Sequence, residues 1–199
     1  MQTKVILFDA DGVAIAPHPY FSERLEKEYG IPREKVLPFF KNEFKLCTVG
    51  KADIKTELKT YLPKWEWSKS VDEFLKLWFE SELTVNMEVL EIVSSLRERG
   101  VQCYLASDNE KYRAAYILNE MSLKEKFDGA FFSCELGYTK SQSEFYKLIM
   151  QKLVLKPEEI MYWDDDPENV QTAKDHGIQA FHFKSAEQIK YTMASLLNL

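Results

Sequence analysis

The chain has 199 residues, of which 45% are hydrophobic and 29% charged, and its formal net charge is −6. That length holds one core, or a core with a small insert, and the acidic balance excludes a general nucleic-acid-binding surface. No apolar run approaches a membrane span, and Met1-Gln2-Thr3-Lys4 leads straight into a predicted strand without a signal-peptide pattern. Cys47, Cys103 and Cys134 are scattered and odd in number, so free thiols are expected in place of a disulfide framework, and the cytoplasm is the expected location.

In chain order, Val5-Ile6-Leu7-Phe8 is a short apolar run bounded by turn residues, which predicts a buried strand. From about Ala14 to Val85 the patterns are helical only: Tyr20 to Tyr29, Glu34 to Phe44, Ala52 to Tyr61 and Val71 to Glu80. Pro17, Pro19, Pro32, Pro38 and Pro63 punctuate this stretch, and its dense Trp and Phe residues predict a small core of its own. From Asn86 onward helices and strands alternate. Met87 to Arg99 carries Met87, Leu90, Val93 and Leu96 at helical spacing and is ended by Gly100. Strands are expected at Val101 to Ala106, Gly129 to Phe132, Ile160 to Trp163 and Ile178 to Phe183. The intervening helices are Glu110 to Met121, Ser143 to Leu153 and Pro167 to His176, with Ala186 to Leu197 last. This alternation predicts an α/β fold: a Rossmann-like parallel sheet core, residues 1–13 plus 86–199, with an inserted all-helical domain, residues 14–85.

In a parallel sheet the C-terminal strand ends share one edge, where open α/β sheets bind ligands. The first strand delivers Asp9 and Asp11 with Gly12 after them, and the second delivers Ser107, Asp108 and Asn109. Gly137-Tyr138-Thr139-Lys140 follows the third, and Asp164-Asp165-Asp166 follows the fourth. A phosphoryl group requires a cation and hydrogen-bond donors, which Lys140, Ser107 and the amides entering the next helix can supply. Asp9 and Asp165 offer the oxygen ligands that a small hard cation, Mg²⁺, prefers.

The order of these motifs resembles the haloacid dehalogenase-like hydrolase superfamily over nearly the whole chain. The matching elements are Asp-x-Asp-Gly after strand one, a Ser after strand two, a Lys, and paired Asp residues followed by Pro167-Glu168-Asn169-Val170. The resemblance implies that Asp9 is the nucleophile of a covalent aspartyl intermediate. Asp11 would protonate the leaving oxygen and then activate water, with its backbone carbonyl a metal ligand. Ser107 and Lys140 match the phosphate binders, Asp165 the direct Mg²⁺ ligand, and Asp164 an auxiliary acid at the metal. Asp11 is absent from the family's dehalogenases, so its presence favours phosphate-ester chemistry. Here Ser141 follows Lys140 where many relatives have Pro, and Asp164 stands where many have Gly. The insert looks like the family's helical cap, hinged near Ala14 to Pro19 and Thr84 to Met87.

The implied function is a Mg²⁺-dependent phosphohydrolase acting on a small phosphomonoester such as a sugar phosphate. No nucleic-acid or membrane partner is expected. A sugar phosphomutase sharing the first half-reaction, and a non-catalytic binding member of the same fold, are the alternatives. Other residues have structural readings: Asp166 before Pro167 as a helix N-cap, Ser107 or Asp108 as a cap of the helix after strand two, Arg97-Glu98-Arg99 as a solvated helix end. His18, His176 and His182 lack metal spacing, and His18 alone falls near the site, at the entry to the insert.

Overall fold

The computed structural model describes residues 3–197. Five parallel strands form one sheet: β1 (Val5–Phe8), β2 (Gln102–Ser107), β3 (Gly129–Phe132), β4 (Ile160–Asp164) and β5 (Gln179–His182), in the order β3-β2-β1-β4-β5. The central β1 pairs Phe8 with Leu105 on one side and with Trp163 on the other. All four of its residues are buried because both sheet faces are covered. Ile6 and Phe8 pack with α6 (Met87–Glu98), α7 (Lys111–Asn119) and α11 (Ala186–Leu197). Val5 and Leu7 point the other way, into the layer of α9 (Ser143–Leu153) and α10 (Pro167–Asp175). This is the expected Rossmann-like α/β core with a parallel sheet, which lies between two helical layers. Among the described residues, no helix is long and apolar enough to cross a membrane.

Between β1 and α6 the chain makes five helices: α1 (Phe21–Tyr29), α2 (Arg33–Lys41), α3 (Glu43–Thr48), α4 (Ile54–Tyr61) and α5 (Val71–Glu80). The expected Glu34–Phe44 helix is in fact two. Asn42 leaves the helical region at φ −120°, ψ −85°, and its side-chain amide donates to the Pro38 carbonyl, 2.8 Å away, a local bond that competes with helix continuation. A short α8 (Ser133–Leu136), for which the sequence carries no helical pattern, follows β3 directly. The insert has its own aromatic core, in which Phe39 packs edge-on against Trp65 at 5.5 Å and Phe21 against Phe74 at 5.3 Å. The cysteines are free, with Cys47 and Cys103 buried.

The insert is docked on α7 and α8. Tyr112 and Tyr116 of α7 extend the insert's apolar cluster, with Tyr116 at 5.3 Å from the Phe79 ring. Ser133 donates to the Thr48 carbonyl (2.7 Å). Asp53 caps α4 by accepting from the Thr56 amide (3.0 Å), and it also receives Tyr112 Oη (3.0 Å) and Lys111 Nζ (2.6 Å) from α7. Glu98 and Arg99 end α6 in solvent as expected, while Arg97 is only half-buried and is bonded as well. It donates to Asp128 and to the carbonyls of Glu125 and Lys126, tying α6 to the loop before β3.

The Lys111 ammonium, with the amide of Thr56 and the hydroxyl of Tyr112, holds the Asp53 carboxyl below the ordinary carboxylate range. A depressed carboxyl pKa adds stability above the unfolded value of about 3.9, and that stability is lost as pH falls through the folded value. Asp53→Ala should therefore lower stability at pH 7 by about 1 kcal/mol, the usual loss of an N-cap. In denaturant titrations the gap to the native chain should hold between pH 5 and 8, about one unit or more above that unfolded value, start to narrow near pH 4, and close only as the folded carboxyl is itself protonated at lower pH.

Candidate active site

The turn after β1 places the first two carboxylates. Asp9 donates its backbone N–H to the Trp163 carbonyl (2.9 Å), continuing the ladder, and its carboxylate accepts from the Ala10 amide (2.7 Å). The chain then folds back sharply, with Ile15 donating to the Ala10 carbonyl (2.7 Å) and Gly12 to that of Ile15 (2.9 Å). Gly12 has φ +91°, and a Cβ there would lie 2.2 Å from Asp165 Oδ2. Glycine is thus required both for the turn and to admit the Asp165 carboxylate beside Asp9.

β4 contributes Asp164, its last residue, and Asp165 just beyond. Asp164 is fully buried and heavily bonded. It accepts from Lys140 Nζ (2.8 Å), the Asp166 amide (2.7 Å), the Asn169 side chain (3.3 Å) and the Tyr162 hydroxyl. Burial holds the Tyr162 phenol well above its ordinary range, so it stays a donor. Asp165 is exposed, and its carboxylate makes no hydrogen bond or ion pair with another described residue. Asp166 caps α10 through the Glu168 amide (2.8 Å), as expected.

Lys140 enters this group from the loop after α8. Its backbone N–H donates to Asp108 (3.0 Å), and its buried ammonium lies 2.6 Å from Asp9 Oδ2 and 2.8 Å from Asp164 Oδ2. Lys147 instead donates to Ser143 Oγ on α9, so Lys140 is the lysine that meets Asp9 and Asp164. Burial opposes the Lys140 charge, but Asp9, Asp164 and Asp108 outweigh it and hold the ammonium well above its ordinary range. Burial also pushes the Asp9 carboxyl up, against the pull of Lys140.

Carboxylate oxygens of Asp9, Asp164 and Asp165 lie within 4.8 Å of one another. Three carboxylates therefore face one ammonium, and the donor set is oxygen throughout, which fits a small hard divalent cation such as Mg²⁺.

The second cluster is built on Asp11. Asn109 donates to Asp11 Oδ2 (2.8 Å) and to Ser107 Oγ (2.9 Å), linking the ends of β1 and β2. Ser107 lies in β2, one residue later than the expected strand end. Neither it nor Asp108 caps α7. Glu110 does, accepting from the amides of Tyr112 (2.8 Å) and Arg113 (2.6 Å). Arg113, on α7 and buried, places Nη2 at 3.2 Å from Asp11 Oδ1 and 3.4 Å from Glu82 Oε2. His18 lies 3.7 Å from Glu82. Sequence reasoning missed Arg113, Glu82 and a role for Asn109. Only Asn109, next to the Ser107-Asp108 strand end, carried a positional signal. A polar cleft of about 540 Å³ lies between the insert and the core, lined by Lys45, Thr48, Lys51, Asp108, Tyr138 and Asn169 among others.

The family profile of haloacid dehalogenase-like hydrolases matches residues 3–177. The chain belongs to that family. Among curated proteins it is similar to the phosphorylated carbohydrates phosphatase of Thermotoga maritima, 24% identical over 90% of this chain and 84% of the relative. It is also similar to the bifunctional epoxide hydrolase 2 of Rattus norvegicus, at 25% identity over 89% of this chain but only 36% of that protein's length. Among solved structures, a HAD-family enzyme of Bacteroides thetaiotaomicron in a magnesium complex matches with a TM-score of 0.84, at 18% identity, over 97% of this chain and 99% of the other. A HAD-like hydrolase of Porphyromonas gingivalis matches with a TM-score of 0.81 at 20% identity, each chain covered in full. The chain is accordingly a haloacid dehalogenase-like hydrolase with the family's α/β fold.

Removing the cation at the centre of the acidic group should be costly. Lys140→Met leaves the buried carboxylates of Asp9 and Asp164 without their partner. We expect a loss of about 3–5 kcal/mol at neutral pH, the scale for breaking a buried pair from one side, read by denaturant unfolding in chelator.

Proposed function

We propose that the chain is a Mg²⁺-dependent phosphomonoesterase of small phosphorylated metabolites, with a phosphorylated carbohydrate the favoured substrate. The observation that carries this reading is the pair of distinct carboxylate environments two residues apart. Asp9 sits buried against Lys140 among the other acids, while Asp11 points into a separate cluster of donors. One fold thus offers a nucleophile and a proton carrier side by side. The named activity of the Thermotoga maritima relative, and the magnesium held by the Bacteroides thetaiotaomicron enzyme, support the same reading.

In this mechanism Asp9 attacks phosphorus, the bond from phosphorus to the leaving oxygen breaks, and Asp11 gives that oxygen a proton. The aspartyl-phosphate on Asp9 is then attacked by water, whose proton returns to Asp11. Cleavage of the acyl-phosphate releases inorganic phosphate and restores the Asp9 carboxylate. Lys140 holds Asp9 in place and offsets charge on the phosphoryl oxygens, and Ser107 adds a hydroxyl donor. Asp165 and Asp9, with the Asp11 carbonyl, would hold Mg²⁺, and Asp164, already occupied by Lys140, Tyr162 and Asn169, would act from behind them. The bound cation would screen the repulsion between the Asp9 carboxylate and a phosphate dianion. The helical insert acts as a cap that shelters the reacting groups from water.

Phosphate release from a panel of sugar phosphates tests the reading. Release should require Mg²⁺ and vanish in chelator. Asp9→Asn should lower turnover by at least about a thousandfold with an unchanged circular dichroism spectrum. Unimpaired turnover in that folded variant would refute the assignment, and an isomeric sugar phosphate in place of free phosphate would make the enzyme a mutase.

A further inference from the structure

Asp11 is held from both sides by groups that the motif pattern does not contain. Asn109 takes Oδ2 and Arg113 takes Oδ1, so rotation of the carboxylate about its χ2 bond is blocked at both oxygens. Arg113 is itself fixed from the insert. Its Nη1 donates to the Phe79 carbonyl (3.3 Å) and its Nη2 to the Glu82 carbonyl (3.1 Å), while the Glu82 carboxylate lies at 3.4 Å. The guanidinium stacks over Phe79 and Tyr116, 5.6 and 5.9 Å from their ring centres. Glu82 is anchored in turn by Trp78 Nε1 (2.9 Å). A buried cation with this many acceptors is a costly feature if it serves stability alone. Three of these acceptors lie where α5 ends and the chain leaves the insert, and the fourth is Asp11.

We propose that Arg113 is a positioning residue that orients the Asp11 carboxylate for proton transfer and ties that orientation to the seating of the insert's exit, Phe79–Glu82. This rests on the assignment of Asp11 as the proton carrier. The planar fork is essential to it, because a single ammonium cannot reach Asp11, two carbonyls and Glu82 together.

The test compares kcat/KM for an alkyl phosphate, whose leaving oxygen needs a proton, with that for p-nitrophenyl phosphate, whose leaving group departs as the anion. Arg113→Met should lower the alkyl value by about a hundredfold, the low end for a lost acid–base contribution, and the nitrophenyl value by less than about fivefold. Arg113→Lys keeps the charge beside Glu82, which guards against misfolding, and should show the same selectivity at about tenfold, between the native chain and the Met variant. In an Asp11→Asn background, Arg113→Met should cause no further selective loss, because both changes remove one function. Equal losses on the two substrates in a folded variant, or no loss, would overturn the inference and leave the phosphatase reading intact. A native enzyme inactive on both substrates would overturn both.

Discussion

The site depends on placing carboxylates from adjacent strands at one sheet edge and keeping them there. β1 and β4 are neighbours in register, so Asp9 and Asp164, one residue beyond Phe8 and Trp163, come side by side. Like charges at that spacing inside a protein repel strongly, and the fold accepts them only because Lys140 is buried between them. The lysine arrives on a loop that is itself fixed, its backbone N–H held by Asp108. Residual negative charge, concentrated on the exposed Asp165, is what gives the site its appetite for a divalent cation. Stability and cation binding are therefore two consequences of one imbalance of charge.

The helix α7 connects this centre to the rest of the molecule. It starts just after Ser107 and Asn109, and its first turn is capped by Glu110. Along its length Lys111, Tyr112, Arg113 and Tyr116 all meet the insert, through Asp53, through Glu82 and through the aromatic cluster. An element rigidly set at the sheet edge thus doubles as the platform on which the insert rests. Any shift of the insert loads the same helix that carries Asn109 and Arg113 to Asp11.

Much of this was legible in the sequence, and the rest was hidden for physical reasons. Strand ends were readable to within a residue because apolar runs ending in Asp or Ser have few alternatives: Asp9 follows β1 as expected, while Ser107 and Asp164, expected just past their strands, close β2 and β4. Lys140 was readable by its place in the motif order. Arg113 was not, because its partners lie 31, 34 and 102 residues away and an arginine in an amphipathic helix usually faces solvent. The division of α2 from α3 was also hidden, since the apolar spacing runs on through Asn42 and only a side-chain bond to Pro38 interrupts it. Glu110 outcompeted Ser107 and Asp108 as a cap because those two are committed elsewhere, to Asn109 and to the Lys140 amide.

The insertion point is itself part of the site's design. The chain leaves the core immediately after Asp11 and returns just before α6, and the two crossings are joined to each other. Ala16 donates to the Thr84 carbonyl (2.7 Å), Asn86 to that of Ala14 (2.9 Å), and Ile15 bridges Val85. Two paired connections restrict the insert far more than one tether could, since a rotation must break or bend both. They also start within the turn that holds Asp11, because Gly12 donates to the Ile15 carbonyl and Ile15 bridges Asp11 directly. The backbone around Asp11 and the root of the insert are consequently one hydrogen-bonded unit, and Arg113 adds a side-chain link in parallel. An insert carried on such a root sets Lys45, Thr48 and Lys51 across the cleft from Asp108, Tyr138 and Asn169 of the core.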